Sequence, residues 1–530
     1  MNGDRILLAL LAGAMLGMSA AAAPVVDDTA ADTLVLCPDA FQTVLRPWVE
    51  YRQKQGHRVL VLAPAATSFG VQRQVREVAT KHALRNLVII GDAFNDKSQG
   101  KFAIVPTDYK IAMVNVQFGG EPEIATDNPY ADLDGDGKPD LALGRIPVDS
   151  PDQLEQYIRK VIAYETTKDF GPWRRKINLV AGTGNFDPIV DRVIENASKR
   201  LITDLIPAAF ETSLTLTNWQ SNFCPDPRRL STTVVERMNE GCLFWVYIGH
   251  GLPNSVAPMQ VGRRSFPVLD NRVAVQARAA SGLPIAVFLS CYSGAFDRRE
   301  DCLGEVLVCQ PAGPVACLCG SRLTMPYGMA LLSVELMDEF FGDEEATLGE
   351  VFTRAKRKLA GHSADGEYRQ MIENLGQSLS PTPDLLPLER HEHLLMFHLL
   401  GDPLLRVPRP SPLALAAALS TGASHEIRIS GTAPEAGNLT VELCYKRDRL
   451  RGRTERRKEF NPDQAALAAY DEVYRQSNDR ICISRSLPVA AGEFQTSLAI
   501  PQGASGECHV RGYLQSGRQA WAQAVPIDLR

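Results

Sequence analysis

The chain has 530 residues, 45% hydrophobic and 22% charged, with a net charge of −6. That length excludes a single core and calls for several domains. The composition is that of a globular protein. The absence of a basic field argues against nucleic acid as a main partner.

At the amino end, Arg5 precedes an apolar run from Ile6 to about Met18, and small residues follow. This layout predicts a secretory signal peptide over 1–22, cut after Ala22, since a cut after Ala23 would leave Pro24 at the new terminus. The run is shorter than the ~20 residues that cross a bilayer. No cysteine follows it to take a lipid, and no later segment is apolar enough to span a membrane. An exported protein is expected: secreted, periplasmic or at the cell surface.

From Thr33 short apolar strands alternate with amphipathic helices. "TLVLCP", "HRVLVLAP" and "NLVIIGDA" read as strands, with helices over 41–54 and 71–83. That alternation predicts a parallel sheet covered on both faces. Ser150-Pro151 is an N-cap with a first-turn proline, and Gln153 is placed for a capping box. Leu154, Tyr157, Ile158, Val161 and Ile162 then share one helical face. This helix closes a first α/β half over 33–170.

A second half, 171–407, has the strands "INLVAGTG", "SLTLTN", "CLFWVYIGHG", "PIAVFLSC" and "PVACLCGS", and closes with "LLMFHLLGDPLLRV". "PRPSP" over 408–412 signals a stiff linker. Short alternating strands over 413–530 then predict a β-sandwich. The charged stretch 447–478 reads as an insertion between two of its strands. Its basic run "KRDRLRGRTERRKEF" reads as a solvated segment.

Two apolar runs end in chemistry-bearing residues: one in Gly249-His250-Gly251, the next in Ser290-Cys291. Functional groups collect at the carboxyl edge of a parallel sheet, and neighbouring strands lie roughly 5 Å apart. A thiol with a pKa of about 8.5 is only slightly ionised at neutral pH. An imidazole beside it can take that proton and later protonate a leaving amine. Gly251 lets backbone approach a substrate carbonyl, and the N–H groups of Gly251 and Cys291 are candidate oxyanion donors. Either residue alone would be read as buried structure. Their succession on strand ends favours a site. The eleven cysteines do not make a disulfide scaffold, and an odd number leaves at least one unpaired. Cys291 is the candidate. Cys302, Cys309, Cys317 and Cys319 lack zinc-site spacing, and "HEH" at 391–393 is slight evidence for metal.

The His-Gly after one apolar strand and the Cys after the next resemble the gingipain family of cysteine peptidases, within the wider caspase-like group. "VIIGDA", "TDNPYADLDGDGKPDLALGRIP", "YIGHG", "LSCYSGAFD", "CLGEVLV" and "LLGDPLLRV" resemble family blocks in family order. The resemblance implies a His250/Cys291 dyad. It also implies a caspase-like α/β domain in two halves followed by an immunoglobulin-like β-sandwich. Only about ten residues separate the expected signal peptide from the first strand, so control by a large prodomain is not expected.

In "YADLDGDGKPD", Asp132, Asp134, Asp136, Gly137 and Asp140 match the first nine positions of a calcium loop. Position twelve is Leu143, which excludes an EF-hand. The bland alternative is a solvated acidic turn. The family resemblance adds another role: members specific for basic residues hold an acidic residue about ten positions upstream of the Gly-Arg pair, which falls on Asp136. Asp136 is therefore assigned to a substrate pocket, where it would pair with Arg or Lys. Asp132, Asp134 and Asp140 are left to structural calcium. Asp127 is a candidate for orienting His250, with a turn aspartate as its alternative. No cofactor is expected for catalysis. The leading expectation is an exported cysteine endopeptidase acting on protein or peptide substrates. The alternative is a catalytically silent binding or adhesion protein on the same fold.

Overall fold

The computed structural model describes residues 31–93, 104–182, 205–343, 345–361, 366–420, 425–449 and 457–529. The expected signal peptide and residues 450–456 of the basic run lie outside them.

A ten-stranded sheet organises the first four hundred residues. Its strands in chain order are β1 (Thr33–Leu36), β2 (Val59–Leu62), β3 (Asn86–Ile90), β4 (Ala142–Ile146), β5 (Lys176–Ala181), β6 (Glu211–Leu216), β7 (Phe244–Ile248), β8 (Ile285–Leu289), β9 (Ala316–Gly320) and β10 (Phe397–Leu400). Their order across the sheet is β2-β1-β3-β4-β10-β9-β8-β7-β5-β6. The inner strands are almost wholly apolar because helices cover both faces; every residue of β3, β8, β9 and β10 is buried.

The expectation of a parallel sheet needs one correction. β10 runs antiparallel to β9, while it is parallel to β4 through a single bridge, Leu400 to Arg145. Four helices, Pro326–Gly342, Leu348–Ala360, Glu367–Leu379 and Leu386–Met396, separate β9 from β10. An even number of passes returns the chain to the edge it left. The two halves of the sheet therefore run in opposite directions. The carboxyl edge of β7, β8 and β9 lies on the same side as the amino edge of β4.

"GDPLLRV" is a structural anchor. The Asp402 carboxylate accepts from Trp48 Nε1 at 2.5 Å and Arg52 at 2.6 Å, and Arg52 also pairs with Glu165 at 2.9 Å. All four side chains are buried, or nearly so. They tie the chain after β10 to the helices Asp39–Lys54 and Pro151–Thr166.

After the linker come β11 (Ser411–Pro412), β12 (Ala414–Leu419), β13 (Glu426–Ala433), β14 (Gly437–Tyr445), β15 (Ile481–Val489), β16 (Gly492–Ala499), β17 (Gly506–Gln515) and β18 (Ala520–Leu529). They form one sheet ordered β11-β18-β17-β14-β15 and another ordered β12-β13-β16. Ile427 and Ile429 from one sheet and Val441, Val510 and Leu514 from the other share a core. The insertion between β14 and β15 carries the helix Gln464–Asn478, which covers the open edge of β6. Asn478 both donates to the Leu214 carbonyl and accepts from its N–H, at 3.1 and 2.7 Å. That pairing blunts an edge otherwise free to pair with another strand. Glu442 meets Arg175 and Arg511 in buried ion pairs, each at 3.2 Å, and Tyr513, Ala520 and Ala522 belong to the large core. The carboxyl-terminal sheets are thus packed into the preceding α/β half.

Candidate active site

β7 and β8 bring the two expected residues to the same level. Ile248 pairs with Leu289 at the end of a parallel register. His250 lies two residues beyond Ile248, and Cys291 two beyond Leu289. β7 is buried up to Tyr247 and then breaks at Gly249, whose φ is +152°. Tyr247 donates to the His250 carbonyl at 2.9 Å, and Ala257 N–H donates to the same oxygen at 2.9 Å. The latter bond closes a small hairpin, Gly251–Leu252 against Ser255–Val256. Gly251 packs against the Cys291 loop so closely that a Cβ there would stand 2.3 Å from the Cys291 carbonyl oxygen. Only glycine fits.

Cys291 is half-buried, while Ser290 before it is fully buried. Tyr292 after it has φ +57°, the one described non-glycine residue with positive φ. For an aromatic residue this is strained backbone, held by its surroundings. The Tyr292 N–H donates to the Arg322 carbonyl at 3.1 Å, and its hydroxyl donates to Glu121 at 2.8 Å. Burial first, and the Glu121 carboxylate second, hold this phenol well above its ordinary pKa, so it stays a neutral donor. Arg298 also pairs with Glu121 at 2.6 Å, and Arg322 grips Asp297 at 2.6 and 2.8 Å. These bonds staple the Cys291 loop to the hairpin Asp108–Ile111/Glu123–Thr126.

A third strand end contributes. Thr324, in the loop after β9, donates its N–H to Cys291 Sγ at 3.3 Å, and its Oγ1 lies 3.5 Å from the same sulfur. Sequence reasoning stopped at two strands. The rule that chemistry gathers at carboxyl edges would also have pointed to "GSRLT" after β9.

Cys291 is not bridged to another cysteine. Burial pushes the Cys224, Cys242 and Cys317 thiols up to about 12. Burial, followed by the Asp39 charge, does the same to Cys37. Such thiols are inert toward nucleophilic chemistry at neutral pH.

Asp127 is buried, and Arg145 holds it through two bonds of 2.7 and 2.8 Å, with Thr107 Oγ1 donating at 2.8 Å. Its oxygens are engaged in this ion pair, which ties β4 to the loop before it. The acidic loop also departs from the expected division. Asp132, Asp134 and Asp136 bring carboxylate oxygens within 4.8 Å of one another, an arrangement that suits a cation. Asp140 is not among them. Its Oδ1 accepts from Arg357 at 2.7 Å and its Oδ2 from the Leu133 N–H at 2.9 Å. Asp136 is exposed and pairs with Lys138 at 3.1 Å. The Lys138 N–H is the main cause that holds its carboxyl below the usual range. His391, Glu392 and His393 diverge: His391 faces Gly137, Glu392 accepts from the N–H groups of Met113, Val114 and Asn115, and His393 bonds to Met325.

No described helix is long and apolar enough to cross a membrane. Lys-gingipain HG66 of Porphyromonas gingivalis is 21% identical over 285 residues, 52% of this chain and 14% of that protein. Lys-gingipain 381 of the same organism matches equally. The chain thus spans about one seventh of the length of these relatives. The crystal structure of the Arg-specific cysteine proteinase gingipain R superposes with a TM-score of 0.52 at 15% identity, covering 94% of this chain and 98% of that one. At that identity the likeness concerns the fold. The family model of Peptidase family C25 matches residues 26–408, and the chain belongs to that gingipain-like family of cysteine peptidases.

Proposed function

We propose that this protein is an exported cysteine endopeptidase that hydrolyses peptide bonds through Cys291 and His250. The observation that supports it best is the common register of the two residues, two positions beyond Ile248 and Leu289, with Gly251 packed on the Cys291 carbonyl. His250 takes the Cys291 proton, and the sulfur attacks the substrate carbonyl carbon. The N–H groups of Gly251 and Cys291 stabilise the oxyanion. His250 then gives its proton to the leaving amine as the C–N bond breaks, leaving a thioester. Water, deprotonated by His250, attacks the thioester; the acid leaves and the thiol is restored. Every proton passes through His250, so the reaction needs no cofactor.

The names of the relatives support cleavage after Arg or Lys. We assign Asp136 to a cation loop with Asp132 and Asp134, most simply for calcium with its all-oxygen ligands. Asp127 is assigned to Arg145 rather than to His250. The domain reading of the sequence is kept: a caspase-like pair of halves over 33–170 and 171–407, and an immunoglobulin-like sandwich over 413–530. The silent binding protein is the competing reading, and the dyad disfavours it.

Purified Cys291→Ala and His250→Ala variants, compared with wild type on a peptide library, test the proposal. Each is expected to lose at least roughly 10³-fold in kcat/KM while keeping its circular dichroism, because the two groups act as a unit. Wild-type turnover by Cys291→Ala would overturn the assignment. A wild-type protein that cleaves nothing, and whose Cys291 reacts no faster with a thiol probe than the buried cysteines, would favour the silent reading.

A further inference from the structure

The sulfur of Cys291 lies at the amino end of the 17-residue helix Pro326–Gly342. The first N–H groups of a helix lack intrahelical partners and carry about half a positive charge together. Here side chains from other elements take them up. Met325 N–H points at His393 Nε2 at 2.9 Å and Gly328 N–H at Glu389 at 3.0 Å, while the N–H of Thr324, one residue before the cap, points at Cys291 Sγ. Pro326 has no N–H to offer. The cap residue Met325 supplies no side-chain hydrogen bond. Two side chains thus complete this helix end, and Cys291 is held by the residue that leads into it.

Thr324 also has a second, reversible bond. Its hydroxyl lies 3.5 Å from Cys291 Sγ and 3.0 Å from the Met329 thioether. A thiol can donate toward the Thr324 carbonyl, 3.7 Å away, while the hydroxyl rests on Met329. A thiolate has no proton to donate and accepts instead. The hydroxyl can then turn to the sulfur and add a second donor to the N–H. Donors to an anion form charge-assisted bonds, which are about twice as strong as neutral ones.

We propose that Thr324 is a positioning residue for the nucleophile: its N–H and its hydroxyl hold the Cys291 sulfur in place as His250 takes its proton. The inference rests on the reading of Cys291 as nucleophile and adds a residue to it. Other groups face the same sulfur or the same helix end. The Tyr247 phenol comes from β7, where it also donates to the His250 carbonyl. The Tyr292 phenol sits in the nucleophile loop, with Glu121 and Arg298 on its far side. The Arg322–Asp297 pair lies below the Thr324 loop. His393 and Glu389 approach from the helix Leu386–Met396. Burial keeps His393 neutral by lowering it to about 4. Burial also raises Glu389 to about 7, so Glu389 adds negative charge to the helix end only as pH rises past that value.

The test is the rate of Cys291 alkylation by iodoacetamide against pH, read by mass spectrometry of the Cys291 peptide in the full-length protein. It needs no peptidase activity, so its failure is separable from a failure of the hydrolase reading. Thr324→Val keeps the backbone donor and loses the hydroxyl. The midpoint of its profile is expected to rise by about one pH unit, the order set by one charge-assisted hydrogen bond. Thr324→Ser is expected to restore the wild-type midpoint. Glu389→Gln controls for the neighbouring charge and is expected to leave the acid limb unchanged. A folded Thr324→Val protein with the wild-type midpoint would overturn the role of the hydroxyl. A rise in Thr324→Val that Thr324→Ser fails to reverse would point to packing and would overturn it equally.

Discussion

Two polar regions of the large sheet invite comparison: the open edge with His250 and Cys291, and the closed seam where β4 meets β10. At the seam Asp127 and Arg145 are buried and each bonds several times: Arg145 also donates to the Gly91 and Val105 carbonyls at 2.9 and 3.1 Å. Lys356 is buried beside them, bonded to the Asn128 side chain and the Phe397 carbonyl at 2.5 and 2.8 Å. Burial lowers Lys356 to about 7. Every donor there has an acceptor from the protein itself. At the edge, Cys291 stays half-buried, beside strained backbone and a glycine that no other residue could replace. Charge buried with full partners fixes a fold, whereas the Cys291 thiol is left partly uncovered, as the proposed role in catalysis requires.

The comparison breaks most visibly at Asp127. Asp127→Ala would leave the Arg145 guanidinium buried without its counter-charge. The expected cost is about 3–5 kcal/mol in urea unfolding, with Cys291 alkylation unchanged in whatever protein remains folded. Asp127→Asn keeps the shape and is expected to cost less. The rival role, orienting His250, predicts the reverse: lost peptidase activity at unchanged stability. Measuring both on the same Asp127→Asn preparation decides between them.

The two regions were not equally legible in the sequence. β7 and β8 stand out because strands covered on both faces are apolar throughout, so the residues that end them are conspicuous. Ser150 caps its helix as expected, accepting from the Gln153 N–H at 3.3 Å. The Gln153 side chain reaches one residue further back than a capping box requires, to the Asp149 N–H at 2.7 Å. The direction of β10 is not legible, since a short buried strand such as "FHLL" carries no mark of which way it runs beside its neighbours. Thr324 is less conspicuous because it stands four residues past the end of β9, in a mostly polar run with no reactive side chain to mark it. Asp140 reads from the loop spacing as a cation ligand, whereas the structure pairs its carboxylate with Arg357, 217 residues away.

Glu389 sharpens the comparison, because it lies between the two regions in character: buried like the seam, yet at the helix end that follows Thr324. Its folded pKa is raised to about 7, first by burial and then by the neighbouring Glu392. An unfolded glutamate titrates near 4.3. Below about pH 4.3 both states hold the proton and the contribution is fully present. As pH rises toward 7 the unfolded chain releases its proton while the folded one retains it, so stability is lost across that window. Glu389→Gln can still accept from Gly328 N–H but cannot ionise. It is expected to be more stable than wild type at pH 8, by about 2 kcal/mol, with no gain at pH 4. Parallel stability curves for the two proteins from pH 4 to 8 would mean that Glu389 is already ionised in the fold.

The smallest effect belongs to the acidic loop, which is neither closed like the seam nor reactive like the edge. Asp132 accepts from the N–H groups of Gly135 and Gly137, at 2.7 and 3.1 Å, so backbone already shapes the turn. A cation drawn to the three carboxylates would add to a loop that is formed without it. Chelation is therefore expected to lower the melting temperature by only a few degrees, the scale of about 1 kcal/mol in a protein this large. Asp132→Asn, Asp134→Asn and Asp136→Asn should each remove that calcium response, while Asp140→Asn should keep it, since Asp140 serves Arg357. The cleavage profile supplies the other half of the test. If Asp136→Asn abolishes a preference for Arg or Lys and leaves the response to calcium intact, Asp136 belongs to the substrate pocket and the three-carboxylate assignment falls.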